Sequence, residues 1–161
     1  MAEPGDRQAR PMHIHIDKEA HANDFARLNE QWIREHFRME DSDHALLADP
    51  LTIIRNGGHM VSLTDNGRVV GVCALLKDPD GRYELAKMAV DPGCRGRGFG
   101  SELIEAATAL ARAKGASSLY LISNVKLAPA ISLYEKHGFV TTHLGPHPSY
   151  ERADIIMEKE I

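Results

Sequence analysis

A chain of 161 residues, 43% hydrophobic and 26% charged, is long enough for one domain with its own core, and its composition is neither fibrous nor disordered. The formal charge of −4 argues against a nucleic-acid binder, which needs a basic surplus to neutralise phosphates. No apolar run approaches a bilayer span, the stretch 69–76 being broken by Gly71, so neither a membrane nor a nucleic acid is expected as a partner.

Residues 1–12 carry charges and prolines but no apolar segment, so they read as a flexible tail and not a secretory signal. A single domain is expected over 13–161. His13 to Ile16 (HIHI) alternates as a short strand does. Phe25, Leu28, Trp32, Ile33 and Phe37 recur near helical spacing, predicting a helix over 19–37 with Asp17 as its cap. A short helix is expected over 42–48, ending before Asp49-Pro50. The LTII and HMVSL segments on either side of Gly57-Gly58 are read as strand. Asn66-Gly67 is a hairpin signal, followed by the strand RVVGVCALLK. A second turn, Asp78-Pro79-Asp80-Gly81, leads into RYELAKMAV. Three strands joined by two tight turns make an antiparallel meander.

The pattern then changes. A glycine-rich stretch opens a helix over 101–114, whose apolar face is Leu103, Ile104, Ala107, Leu110 and Ala111, with Gly115 as its stop. SLYLIS (118–123) is a strand, a helix runs from about Pro129 to His137, and strands over 139–143 and 153–158 finish the chain. Strand, helix, strand at this spacing is a parallel crossover. The fold class is therefore α/β: a mixed, mostly antiparallel sheet with helices on both faces. Its central parallel pair is formed by β4 (82–90) and β5 (118–123).

Between these two strands lies C-R-G-R-G-F-G-S, residues 94–101. Glycines here let successive N–H groups face one concave nest, and the start of the next helix adds unpaired N–H groups and a positive dipole end. Such a turn suits a pyrophosphate. Gly96 and Gly98 without a third glycine at position 101 miss the dinucleotide pattern, and the GK[ST] ending of a P-loop is absent. A plain tight turn would give Arg95 and Arg97 no role. The two cysteines, Cys73 and Cys94, lack CxxC spacing, so no zinc or disulfide framework is indicated and a reducing cytoplasm is the expected location. His36, His44, His59, His143 and His147 have no metal-ligand spacing, and no metal is expected.

R-G-R-G-F-G resembles the Q/R-x-x-G-x-G/A signature of the GNAT superfamily of N-acetyltransferases. E-L-A-K-M-A-V (84–90) is similar to that family's central strand, and A-I-S-L-Y-E-K-H-G-F (130–139) to its second conserved segment. The resemblance covers roughly residues 60 to 158. It implies acetyl-CoA as acyl donor, its pyrophosphate on the amides of Arg95, Gly96, Arg97, Gly98, Phe99, Gly100 and Ser101. It also implies a pantetheine arm between the splayed β4 and β5, bonded to the main chain around Met88, Ala89 and Val90. Asn124 either bonds that arm or caps a turn.

Transfer of an acyl group to an amine needs a base for the ammonium proton and an acid for the departing thiolate. By resemblance, Glu84 is the base, the alternative being a surface carboxylate paired with Lys87 or Arg82. By resemblance again, Tyr134 is the acid; the alternative is a core aromatic. Strand alternation puts Glu84, Ala86 and Met88 on one face unless a bulge rephases them. Loop 144–152 and segment 34–43, with Glu35, Glu40, Asp41 and Asp43, are expected to wall the acceptor mouth. The expected activity is acetyl transfer to an amine of a small molecule or peptide by direct attack in a ternary complex. A non-catalytic acyl-CoA-binding module is the alternative. Many relatives are dimers, so a homodimer is a possible assembly by resemblance.

Overall fold

The computed structural model describes residues 12–161; residues 1–11, most of the expected tail, lie outside them. A seven-stranded sheet runs in the order β1-β2-β3-β4-β5-β7-β6. Its strands are β1 (Met12–Ile16), β2 (His59–Asp65), β3 (Arg68–Lys77), β4 (Tyr83–Val90), β5 (Ser118–Ser123), β6 (Val140–Leu144) and β7 (Ile155–Glu160). Among the described residues only β4–β5 is a parallel pair. The helices are α1 (Ala22–His36), α2 (Asp41–Ala48), α3 (Thr52–Arg55), α4 (Phe99–Ala113) and α5 (Ala128–Lys136). Among the described residues no helix is long and apolar enough to cross a membrane.

Two apolar clusters sit on the two faces of the sheet. Leu103, Ile104, Ala107 and Ala111 of α4 pack on Val61, Leu63, Cys73, Leu75, Leu119 and Met157. Phe25, Leu28 and Ile33 of α1 pack on Met60, Val72, Ala74 and Ala89. The period of each element thus matches the face it buries, as an amphipathic helix against a strand requires. Gly71 sits where α4 comes closest, since an added Cβ would lie 3.0 Å from a Leu103 methyl.

Several expectations are corrected. LTII is not a strand: Thr52–Arg55 is one helical turn, begun by the Asp49-Pro50 corner, and Ile53 alone is buried in it. A short apolar run does not distinguish the two by itself. Gly58 then passes so close to β3 that a Cβ would meet the Leu75 carbonyl at 2.3 Å. Asp17 does not cap a helix. It stands at φ 55° and accepts from the Met60 amide (2.8 Å) and pairs with His59 Nδ1 (2.8 Å), tying the end of β1 to β2. A short 3₁₀ turn, Glu19–His21, precedes α1 in place of a longer helix. The glycine-rich segment enters its helix at Phe99, two residues before the expected Ser101.

The decisive departure lies in β4. Ala74 faces Ala86 and Val72 faces Ala89, so Lys87 and Met88 together oppose the single Cys73. This is a β-bulge, with Lys87 at φ 55°. It reverses the alternation: Met88 joins the α4-side cluster, whereas Glu84 and Ala86 face away from it. The bulge also ends pairing with β5, which is limited to Tyr83 with Leu119 and Glu84 with Tyr120. Beyond those residues the two central strands part.

Candidate active site

The parted strands open a cleft of about 120 Å³ that runs through the sheet. Asn29, Trp32 and Ile33 of α1, with Phe37 just past its end, line one side, and Tyr134 and Leu127 line the other. Glu84, Ala86, Lys87 and Met88 form one wall; Leu121 to Asn124 form the opposite wall. A second cleft, against the uncovered face of β5, β7 and β6, is bounded by Arg82, Tyr120, Ile122, Thr142, His147, Ser149, Tyr150 and Glu158. Glu84 lines both, so it stands at their junction.

Burial and the nearby Asp78 carboxylate push the Glu84 carboxyl up to about 7, partly opposed by Lys87. Glu84 makes no ion pair with Arg82 or Lys87; those cations are committed elsewhere. Tyr134 is half-buried, its ring edge-to-face with buried Phe139 at 6.0 Å, and the loss of solvent around it pushes its phenol up to about 12. Its hydroxyl bonds no other side chain or backbone group among the described residues, so it is free to serve a group in the cleft.

The glycine-rich turn follows directly on β4. Gly96 and Gly98 both adopt φ 81°, the left-handed region, with open space where a Cβ would be. The first helical bond of α4 runs from Glu102 N to Gly98 O, and the amides of Arg95 to Ser101 find no acceptor among the described residues. Such a run of donors at a helix start fits a pyrophosphate. The Phe99 side chain is core, so only its backbone faces the nest. Gly100 passes Leu133, where a Cβ would approach to 3.1 Å. The Ser101 hydroxyl meets His137 Nε2 at 3.0 Å.

Both arginines of the turn hold carboxylates from distant elements. Arg95 grips Glu35 of α1 through two bonds, 2.9 and 2.7 Å, and Arg97 pairs with Asp65 at 3.1 Å. Met88 and Val90 border the α4-side cluster, and Ala89 is buried on the α1 side. The Asn124 side chain has two partners: Nδ2 donates to the Arg152 carbonyl (2.7 Å) and Oδ1 accepts from the Lys126 amide (2.9 Å). These bonds cap the turn after β5, and the residue also lines the cleft.

Sequence reasoning missed a buried ionic cluster. Asp43 of α2, fully buried, receives Lys87 Nζ at 2.8 Å and both Arg152 nitrogens at 2.5 and 2.7 Å. The Glu40 amide donates to it at 2.9 Å, and Glu40 also pairs with Arg152 at 3.1 Å. Burial alone would push this carboxyl up, but the bonds from Arg152 and Lys87 hold it well below the usual carboxylate range. The cluster ties α2, the β4 bulge and the loop before β7 together. Glu35, Glu40 and Asp43 thus each hold a cation of this chain: Arg95 for Glu35, Arg152 for Glu40, and Lys87 with Arg152 for Asp43. Asp78 was missed too: it accepts from the Tyr120 hydroxyl at 2.6 Å beside Glu84. No local motif marks either pairing, since their partners lie 42 to 109 residues away.

Residues 21–139 match the family model described as the Acetyltransferase (GNAT) family. A protein named IAA acetyltransferase from Azospirillum brasilense is 35% identical over 124 residues, 75% of this chain and 78% of that protein. A GNAT-family acetyltransferase structure from Staphylococcus aureus superposes with a TM-score of 0.81 at 18% identity, covering 92% of this chain and 98% of that one. A Salmonella typhimurium structure with acetyl-CoA as its cofactor has a TM-score of 0.75 at 19% identity, covering 94% of each chain.

Proposed function

Since the chain belongs to the GNAT acetyltransferase family and is therefore an acetyl-CoA-dependent acetyltransferase, we propose that it transfers the acetyl group directly to an amine in a ternary complex, with Glu84 as base and Tyr134 as acid. One observation carries this reading: Glu84 and Tyr134 line a single cleft that passes through the gap between β4 and β5. Acetyl-CoA supplies the activated acyl group and a thiolate leaving group. Every other role falls to the chain's own residues.

The uncommitted amides of Arg95 to Ser101 hold the donor's phosphates, and the carboxylates on Arg95 and Arg97 leave the backbone the larger share of that work. The parted strands admit the thioester arm past Met88, Ala89 and Val90. Glu84, ionised above about pH 7, takes the proton that the ammonium must lose before it becomes a nucleophile. Tyr134 stays protonated at any working pH, since its phenol is pushed up to about 12, and gives its proton to the departing sulfur. A module that only binds acyl-CoA would need neither group.

Acetyl-CoA at about a hundred times its dissociation constant is expected to add roughly 2.7 kcal/mol of stability. A thermal-shift titration reads this directly, with ATP as control. No shift with acetyl-CoA, or an equal one with ATP, would sink the donor assignment. Tyr134→Phe is expected to lower kcat about 10²-fold while leaving Tm within a degree or two, since the ring keeps its packing and the hydroxyl bonds no group among the described residues. An unchanged kcat would return Tyr134 to a purely structural role.

A further inference from the structure

The second cleft narrows the acceptor's chemistry. Register pairs Glu84 with Tyr120 and Tyr120 with Glu158, so these three side chains stand in a row across β4, β5 and β7 on one face. At strand spacing the Cα atoms of Glu84 and Glu158 are about 10 Å apart. Helix α1 covers β3 and β4, which leaves this half of the sheet open beneath His147, Ser149 and Tyr150.

Charge along the row is unbalanced. Arg82, the only Lys or Arg bounding the second cleft among the described residues, is shared by Asp80 at 3.1 Å, Glu158 at 3.7 Å and Asp78 at 3.8 Å. Lys87 and Arg152, the cations of the through-sheet cleft, are both spent on Asp43. A carboxylate on the acceptor would have to displace these partners and would meet Glu84 and a Glu158 whose one cation, Arg82, is already divided among three carboxylates. A second cationic centre would instead relieve the surplus negative charge at Glu158.

Resting on the acetyl-transfer reading above, we propose that the acceptor is a compact alkylamine with a second cationic centre and no carboxylate, its reacting amine at Glu84 and its other pole at Glu158. Tyr120, held between them by its bond to Asp78 and carrying the Arg82 guanidinium 4.6 Å over one part of its ring, spans the distance that the chain of methylenes bridges.

Three acceptors of matched length test this: 1,4-diaminobutane, butylamine and 4-aminobutanoate, each assayed by thiol release from acetyl-CoA. The diamine is expected to lead butylamine by about tenfold in kcat/KM, the worth of one charge-assisted bond, with aminobutanoate the poorest. Glu158→Gln is expected to cut the diamine's lead to about threefold or less, with the acetyl-CoA thermal shift confirming a folded protein. A diamine no better than butylamine, an aminobutanoate that matches it, or a lead that survives Glu158→Gln overturns the proposal. So does a thermal shift with acetyl-CoA but no transfer to the diamine. Absence of that thermal shift would instead overturn the donor-binding reading on which the proposal rests.

Discussion

Glu84→Gln is expected to slow acetyl transfer by about 10²- to 10⁴-fold, the usual worth of a positioned general base. Glutamine keeps the shape but cannot accept a proton at neutral pH. In the parent protein, kcat/KM should fall below about pH 7 as Glu84 protonates, and that acidic limb should vanish in the variant. Stability should move the opposite way. The folded carboxyl titrates near 7 against an ordinary 4.5, so between these values the folded protein holds a proton that the unfolded chain has lost. Stability therefore falls as pH rises through that window, by up to about 3 kcal/mol. Glu84→Gln removes this penalty, so the variant should be the more stable protein at pH 8 and nearly equal to the parent at pH 5. Parallel pH–rate and thermal-melt series measure both effects. Full activity in the variant would end the assignment of Glu84 as base; a stability gap that does not widen with pH would contradict its enclosure.

Asp43→Asn is expected to destabilise the protein by about 3–5 kcal/mol, because it leaves Lys87 and Arg152 facing each other with their shared counter-charge gone. That is a large part of the 5–15 kcal/mol or so that holds a typical domain. The folded carboxyl is held below its unfolded range. Its contribution is thus complete above the usual titration of an aspartate and is lost only as pH falls well below it. Urea unfolding at pH 7 and at pH 4.5 should therefore show nearly the same deficit for the variant. Replacing all three groups with apolar residues (Asp43→Leu with Lys87→Met and Arg152→Met) should restore part of the loss, since the two facing cations are then gone and only Glu40 loses a partner. Activity is a separate readout. Lys87 is the left-handed residue of the β4 bulge and Arg152 precedes β7, so freeing them should lower kcat/KM in Asp43→Asn and in the apolar triple variant alike. A triple variant that recovers both stability and full activity would show that the cluster does not position the site.

What was legible in the chain was local. Asn66-Gly67 and the Asp78–Gly81 corner placed the meander, and the alternation of strand residues chose its faces. The run from Arg95 to Ser101 announced its nest because glycine at positions 96 and 98 meets a demand of the backbone at those very residues. Similarity to a known family then pointed to Glu84 and Tyr134, which periodicity could not have done. The tertiary structure decided everything that depends on contact between distant segments. The LTII run became a helical turn because the corner at Asp49-Pro50 and the close pass of Gly58 along β3 fixed its path. Asp17 went to His59 and the Met60 amide instead of a helix start. The bulge at Lys87 turned Met88 away from Glu84 and opened the cleft, and Asp43, 44 residues away, holds that lysine in place. A bulge is one extra residue between two ladders, and a buried ion pair is a bargain between remote charges. Neither leaves a mark on the sequence around it, since each exists only once the partner strand and helix have arrived.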